Sequence, residues 1–380
     1  MVQIAILGFG VVGSDVAEIL IQNRANIARS ADEEIGLKYI LDLHDLPESP
    51  FRDKLATDFE TILADPEIQV VVETIGGVGA AYDYTKRALQ AGKSVATSNK
   101  ELIATRGCEL LAIAKETNAN YLFEASVGGG IPVIRPITQC LAANQLDAVY
   151  GIVNGTTNYL LSQMSAGTKS FAEALSEAQA KGYAEADPVA DLDGTDACRK
   201  ICILASLSFG RHILPHQVET EGITQVTAAD IAWAKDMGCK IKLVARALRV
   251  TDGKIAAYVA PHLVRDDHIL AHVEDVHNAI LVQGNAIGEV MFYGPGAGGR
   301  PTASAVVADV IDCVKHLKAR KYLLWARGGP EIAADPGELK TPWYVRTEAG
   351  ASIHPAAMSR PELAEKLKSS GAYCAFRVLD

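Results

Sequence analysis

Residues 183–200 place Tyr183, Glu185, Asp187, Asp191, Asp193, Asp196, Arg199 and Lys200 close together in the chain. Pro188 and Gly194 interrupt the segment, so Glu185, Asp187, Asp191 and Asp193 are expected on turns and loops. From Asp196 the run Asp-Ala-Cys-Arg-Lys-Ile-Cys-Ile-Leu-Ala reads as the opening of a helix. That sets Asp196 and Lys200 at i and i+4 on one face. A carboxylate and an ammonium held side by side on a rigid element can deliver a proton to a reacting oxygen or remove one. The same pattern also describes an acid-capped helix start with an ordinary surface ion pair of little energetic consequence. Both readings stand on this segment alone.

Chemistry of another kind is written at the start of the chain. Val2–Leu7 is a short apolar strand, Gly8-x-Gly10-x-x-Gly13 follows it, and an amphipathic helix follows the glycines. Gly8 permits the tight turn, Gly10 lets backbone approach a pyrophosphate, and Gly13 lets the helix pack on the strand, with the helix N-terminus receiving the phosphate charge. Gly8, Phe9, Gly10, Val11, Val12 and Gly13 are therefore expected to line a dinucleotide. Asp42 closes the second strand, Leu37–Leu41, where a carboxylate accepts from the ribose hydroxyls and repels a 2′-phosphate, which favours NAD over NADP. Lys38 and His44 lie close enough in sequence to argue the other way.

The elements that must position these groups alternate. Strands at Val70–Val72 and Ser94–Ala96 are interleaved with helices at Tyr82–Ala91 and Glu101–Thr117, the signature of an α/β fold with a Rossmann-type, doubly wound parallel sheet. Ligands bind such sheets beyond the carboxyl ends of the strands, where Thr74-Ile-Gly-Gly77 and Thr97-Ser98-Asn-Lys100 fall. Lys100 reads either as an ammonium beside a nicotinamide or as a solvated residue in a capping box running from Ser98 to Glu101.

Tyr121-Leu-Phe-Glu-Ala-Ser-Val-Gly-Gly-Gly-Ile-Pro132 then leaves the sheet through three glycines. Glu124 beside bare carbonyls is an oxygen-ligand site for a hard cation or part of an interdomain hinge. From about residue 133 to 295 longer helices mix with strands such as Ala148–Val153, Lys240–Arg249 and Ile255–Pro261, implying a second, α+β domain. Gly294-Pro-Gly-Ala-Gly298-Gly-Arg-Pro-Thr302, followed by a periodic helix over Ala303–Lys318, is a ligand-closing loop or a glycine-rich turn. The domain reading is 1–130 with 296–320 returning to it, 131–295, and a short C-terminal extension, 321–380, holding Trp343-Tyr-Val-Arg346 and a helical run over Arg360–Lys368.

Composition narrows the classes. The 380 residues carry a net charge of −10 without clustered Lys and Arg, which argues against nucleic acid as a partner. No apolar run reaches the roughly 18–20 residues of a membrane span, so no membrane partner is expected. Val2–Leu7 already reads as a strand, not a signal peptide. Cys108, Cys140, Cys198, Cys202, Cys239, Cys313 and Cys374 are scattered, with no C-x-x-C pair, pointing to a reduced, cytoplasmic protein.

Taken in order, the motifs resemble the homoserine dehydrogenase family over roughly residues 2–320. They are Gly-Phe-Gly-Val-Val-Gly (8–13), Thr-Ser-Asn-Lys (97–100), Glu-Ala-Ser-Val-Gly-Gly-Gly-Ile-Pro (124–132) and Asn-Gly-Thr-Thr-Asn-Tyr (154–159). Further on come Gly-Tyr-Ala-Glu-Ala-Asp-Pro-x-x-Asp-Leu-x-Gly-x-Asp-Ala-x-x-Lys (182–200) and Gly-x-Gly-Ala-Gly-x-x-Pro-Thr (294–302). The resemblance implies a reversible, NAD(P)-dependent interconversion of L-homoserine and L-aspartate 4-semialdehyde, on the way to threonine and methionine, by a homodimer. It implies Lys200 as proton donor and base, Lys100 near substrate and nicotinamide, and a substrate site made by Glu185, Asp191, Asp196, Gly155, Thr156 and Tyr183. It also implies a monovalent-cation site, such as one for sodium, at Glu124 with the carbonyls of Val127, Gly129 and Ile131. Many members carry a C-terminal regulatory domain with a glycine turn after its first strand, and here that turn is missing. Three rivals remain open from the sequence: a sugar-type nicotinamide oxidoreductase, an aspartate-semialdehyde dehydrogenase using a Cys nucleophile, and a nucleotide-sensing module without turnover.

Overall fold

The computed structural model describes residues 1–45, 48–56, 58–167, 169–250, 253–317, 325–348, 350–368 and 374–379. The chain opens with β1 (Val2–Leu7), α1 (Val11–Gln22), α2 (Arg24–Ala31) and β2 (Ile35–Leu41). It continues through α3 (Phe59–Ala64), β3 (Ile68–Glu73), α4 (Gly79–Gln90), β4 (Ser94–Thr97), α5 (Lys100–Glu116) and β5 (Tyr121–Leu122). Next come β6 (Leu146–Ile152), α6 (Gly155–Ser165), α7 (Phe171–Ala180), α8 (Val189–Leu192), α9 (Thr195–Phe209) and β7 (Glu219–Thr220). They are followed by α10 (Ala228–Asp236), β8 (Cys239–Arg249), β9 (Ile255–Arg265), β10 (His277–Gly284) and β11 (Gly288–Pro295). The last elements are α11 (Gly299–Lys315), β12 (Thr341–Thr347), β13 (Gly350–Met358), α12 (Arg360–Leu367) and β14 (Cys374–Leu379). Two compact units result, Met1–Ala142 with Ala297–Arg327, and Ala143–Gly296 with Gly328–Asp380.

In the first unit five strands run in the order β2-β1-β3-β4-β5, all parallel. Strands covered on both faces need apolar side chains on both, which is why Ile4-Ala5-Ile6-Leu7 and Val70-Val71-Val72 are continuous runs with no exposed surface. Ile4, Ile6, Val70, Val72 and Ala96 share one core with Val16 and Leu20 of α1 and with Val306, Val307, Val310, Cys313 and Val314 of α11. The three-and-four spacing of that last set places it on one helix face. The helix expected over Ala303–Lys318 starts earlier, at Gly299, and ends at Lys315; Lys318 lies outside the described residues. Strand order reverses where β1 lies between β2 and β3, the place where such sheets open a crevice for ligands.

The second unit is built on a mixed sheet ordered β11-β10-β6-β8-β9-β14-β12-β13, with β7 also pairing β9. β14 and β7 run parallel to β9, and the other pairings are antiparallel. The segment read from sequence as a separate extension contributes three strands to this sheet within its described residues. Trp343, Tyr344 and Arg377 are almost wholly buried. The Arg377 guanidinium lies 4.6 Å from the Trp343 ring centre and 5.0 Å from that of Tyr258, so its charge is buried against two π faces. Among the described residues no helix is long and apolar enough to cross a membrane.

Candidate active site

The glycine turn after β1 follows the geometry its residues require. Gly8 has φ +89°, and a Cβ there would stand 2.8 Å from the Thr74 carbonyl oxygen. A Cβ on Gly13 would meet the Gly8 carbonyl oxygen at 2.1 Å, whereas one on Gly10 would meet nothing within 4 Å. Backbone is thus packed at the two outer glycines and open at the middle one, which fits a dinucleotide pyrophosphate laid on the start of α1. Thr74 braces the turn, its Oγ1 donating to the Gly8 carbonyl at 2.8 Å. Val11 stands exposed at the head of α1, and Phe9 and Val12 pack on the sheet core.

Asp42 follows β2 and faces the same turn. Its carboxylate accepts the Phe9 N–H at 2.5 Å and the His44 N–H at 2.9 Å. Burial alone would raise its pKa, but those N–H groups outweigh burial and hold the carboxyl below its ordinary value. Lys38 is turned elsewhere, paired with Asp65 at 2.5 Å and Glu67 at 2.7 Å ahead of β3.

Glu73, a residue the sequence reading passed over, ties together the loops after β3 and β4. Its carboxylate is fully buried and accepts from the N–H groups of Ile75 and Gly76 and, at 2.6 Å, from the Thr97 hydroxyl. Burial pushes its pKa up against the pull of those donors. An acid closing an otherwise apolar strand just before Thr-Ile-Gly-Gly was the available signal. Lys100 is the first residue of α5, and Ser98 precedes the cap. The cap is Asn99, whose side chain accepts the Leu102 N–H at 3.1 Å. The capping box expected from Ser98 to Glu101 does not form: with Asn99 as the cap the third helical residue is Leu102, which has no side-chain acceptor to return the bond, and the Asn99 amide donates to the Gly77 carbonyl at 2.7 Å. Gly298, at φ +113°, is the N-cap of α11.

The substrate-motif residues lie in the second unit. Lys200 and Asp196 stand on α9 as expected, both buried, with Lys200 Nζ 2.7 Å from Asp196 Oδ2. The ammonium donates also to the Val153 carbonyl at 2.7 Å. A lysine ammonium has three donors, so one more is available for a ligand oxygen. Asp191 is not on a loop: Val189–Leu192 closes a single helical turn, α8, after Pro188, Pro being favourable at a helix start. Asn154 Nδ2 donates to both Asp191 Oδ1 and Asp196 Oδ2, so these two acids are brought together by a residue the reading did not single out. Its signal was an Asn leaving a strand just before Gly-Thr-Thr, the mark of a helix cap.

Gly155 opens α6, and Thr156 Oγ1 donates to the Tyr183 carbonyl at 2.8 Å. The Tyr183 ring meets Tyr159 edge-on at 5.2 Å between centres. Glu185 is exposed, its backbone carbonyl accepting from Gln179 at 3.2 Å. Cys198, also on α9, has its thiol lowered to about 7, chiefly by its hydrogen bond with Cys202 against burial, yet it is only 5% exposed. Its Sγ is turned to the Pro215 carbonyl at 3.7 Å.

Glu124, 2% exposed, spends its carboxylate on backbone: Oε1 accepts from Val133 and Ile134, Oε2 from Arg135, at 2.7–2.8 Å. A carboxylate offers about four lone-pair sites, which leaves room for one bond to a cation. Val127, Gly129 and Ile131 lie in the buried loop that follows. Among the described residues no group of three or more His, Cys, Asp and Glu side chains could hold a metal ion.

Comparison with known proteins joins the two halves. The family model described as homoserine dehydrogenase, NAD binding domain, matches residues 8–124, and that described as homoserine dehydrogenase matches 132–311. A homoserine dehydrogenase of Pseudomonas aeruginosa is 42% identical over 371 residues, covering 94% of this chain and 84% of that protein. One from Bacillus subtilis is 41% identical over 325 residues, 83% of this chain and 74% of that protein. The crystal structure of a homoserine dehydrogenase from Thiobacillus denitrificans superposes with a TM-score of 0.90 at 32% identity, covering 100% of this chain and 98% of that one. A hyperthermophilic archaeal homoserine dehydrogenase mutant, solved in complex with NADPH, gives a TM-score of 0.67 at 31% identity over 82% of this chain and 97% of that one. These matches disfavour the sugar-oxidoreductase and sensor readings. With a dinucleotide turn in one unit and a lysine–aspartate pair in the other, the chain belongs to the homoserine dehydrogenase family, a family of oxidoreductases.

Proposed function

We propose that Lys200 is the proton donor when L-aspartate 4-semialdehyde is reduced and, in its neutral form, the base when L-homoserine is oxidised. The observation that carries this is the Lys200 ammonium, buried, anchored by Asp196 and the Val153 carbonyl, with a donor to spare. A bound nicotinamide coenzyme supplies or accepts the hydride. As the carbonyl oxygen gains charge, Lys200 donates a proton to it, and Asp196 holds the Lys200 side chain in place. By the family resemblance Lys100, the first residue of α5, helps to polarise the carbonyl. Glu185 and Asp191 bind the substrate ammonium, and Gly155, Thr156 and Tyr183 shape the pocket around its carbon chain.

Gly8 to Gly13, Thr74, Ser98, Lys100 and Gly298 hold the coenzyme, with Asp42 on the adenosine ribose. The archaeal relative was solved with NADPH; here Asp42, with Lys38 turned away, supports NAD as the better substrate. The remaining Glu124 lone pair and the carbonyls of Val127, Gly129 and Ile131 form an all-oxygen donor set suited to a monovalent cation such as sodium. The working unit is a cytoplasmic homodimer. Oxidation of NADH and NADPH by aspartate 4-semialdehyde, with the wild type and Lys200→Ala, tests the central reading. Turnover should fall at least about a hundredfold in the variant, the usual scale of general acid help, while coenzyme affinity stays unchanged. Near-normal turnover would remove Lys200 from its role.

A further inference from the structure

We infer that Asn154 is a positioning residue for proton transfer, acting through Asp196 and Asp191; the inference rests on the reading of Lys200 given above. Asn154 is 4% exposed and caps α6, its Oδ1 accepting the Thr157 N–H at 2.8 Å and the Thr157 hydroxyl at 2.9 Å. Its Nδ2 donates to Asp191 Oδ1 at 2.7 Å and to Asp196 Oδ2 at 2.8 Å. A primary amide has two donors and two lone pairs, and here all four are used. The orientation is fixed by chemistry: a flipped amide would set NH₂ against the Thr157 N–H and oxygen against two carboxylates.

A cap needs only the acceptor half of this side chain, and Ser, Thr or Asp would serve there equally well. The donor half faces two acids on two other elements, α8 and α9. Asp196 Oδ2 is the same oxygen that meets Lys200 Nζ, and the residue before Asn154 supplies the carbonyl that Lys200 also holds. The two residues leaving β6 therefore fix the ammonium directly through Val153 and fix its carboxylate partner through Asn154. An amide that donates to both acids also offsets part of the repulsion between Asp191 and Asp196.

The test uses Asn154→Asp, which keeps the cap acceptor and has no donor, and Asn154→Ser, which keeps a cap and one donor without adding charge. For each folded variant the readouts are kcat, KM for the aldehyde, and coenzyme affinity from the fluorescence of bound NADH. Loss of a buried donor from a charged partner should lower kcat at least about tenfold in Asn154→Asp, with a smaller fall in Asn154→Ser and unchanged coenzyme affinity. Combining Asn154→Ser with Asp196→Asn should cost no more than Asp196→Asn alone, because residues acting as one unit are not additive. Wild-type kcat in Asn154→Ser, a change in KM alone, or losses that multiply in the double variant would overturn the inference. Lys200→Ala run alongside separates the two readings: if it stays active, the role of Lys200 fails; if it alone is inactive, only the role of Asn154 fails.

Discussion

Glu73 accepts the Thr97 hydroxyl at 2.6 Å, a contact between the carboxyl ends of two adjacent parallel strands with the loops at the sheet's mouth on either side. Neither loop touches the other through this bond; both are fixed to one carboxylate. Glu73→Ala leaves the Ile75 and Gly76 N–H groups and the Thr97 hydroxyl without that acceptor. Unpaired buried groups cost about 1–3 kcal/mol each, so coenzyme affinity should fall on the order of tenfold or more. Fluorescence titration with NADH checks it, and affinity equal to wild type would show that the loops hold their shape without Glu73.

Coenzyme choice should follow Asp42. kcat/KM is expected to be at least as high with NADH as with NADPH. Asp42→Ser, which removes the charge opposed to a 2′-phosphate, should shift the ratio toward NADPH about tenfold, the effect of about 1.4 kcal/mol. A wild-type enzyme strongly preferring NADPH would mean that the Phe9–Asp42 bond serves only the turn.

Glu185 is exposed while its backbone is tied to Gln179, so its carboxylate is available to a ligand. Glu185→Ala should raise KM for homoserine on the order of tenfold, as loss of a charge-assisted hydrogen bond does, with kcat changed less. An unaltered KM would assign the substrate ammonium to another acid.

Acid stability should report on His262. Burial first, and then the charges of Arg246 and Arg377, lower this ring's pKa to about 3 from 6.5, against the Ala260 carbonyl that would raise it. In the unfolded chain the ring takes up a proton below about 6.5, and in the folded protein not until about 3. Its contribution is thus present above 6.5 and lost as pH falls toward 3. Melting temperatures measured between pH 6.5 and 4 should decline less steeply in His262→Gln than in the wild type. Parallel curves would show that His262 does not set the acid limit.

The C-terminal strands should behave as structure. Deleting residues 330–380 removes β12, β13 and β14, uncovering β9 along its pairing with β14 and removing Trp343 and Arg377 from the interior. Loss of soluble, folded enzyme is expected, and the full chain should be indifferent to millimolar threonine. Threonine inhibition that vanished in a stable truncated enzyme would give this segment a regulatory task.

Much of this was legible in the residues, unevenly and for physical reasons. β1 and β3 stand out because their stretches covered on both faces, Ile4–Leu7 and Val70–Val72, are apolar runs, and the glycine turn because a Cβ at Gly8 or Gly13 would meet backbone. The Asp196–Lys200 pair followed from helical spacing alone. Asn154 and Glu73 escaped because their work depends on partners such as Asp196, 42 residues away, and Thr97, 24 residues away, which local pattern does not reveal. The placement of Trp343-Tyr-Val-Arg346 in the second sheet depended on β14 pairing with β9, a contact across more than a hundred residues.

The assignment of α11 to the first unit, and of β14 to the second, has a consequence for how the polypeptide is made. When Leu122 leaves the ribosome, one face of the first sheet still lacks its covering helix, and roughly 180 residues must be translated before α11 arrives, on the order of 10–40 s at ordinary elongation rates. The second unit has no earlier finish, because β9 pairs with a strand that ends at Leu379. The first unit receives its last helix, α11, by Lys315, whereas β9 stays uncovered along its β14 side for about sixty residues more, so the first unit can close while the second is still open. Chaperone demand should therefore fall in two steps, once when α11 emerges and again when β14 does.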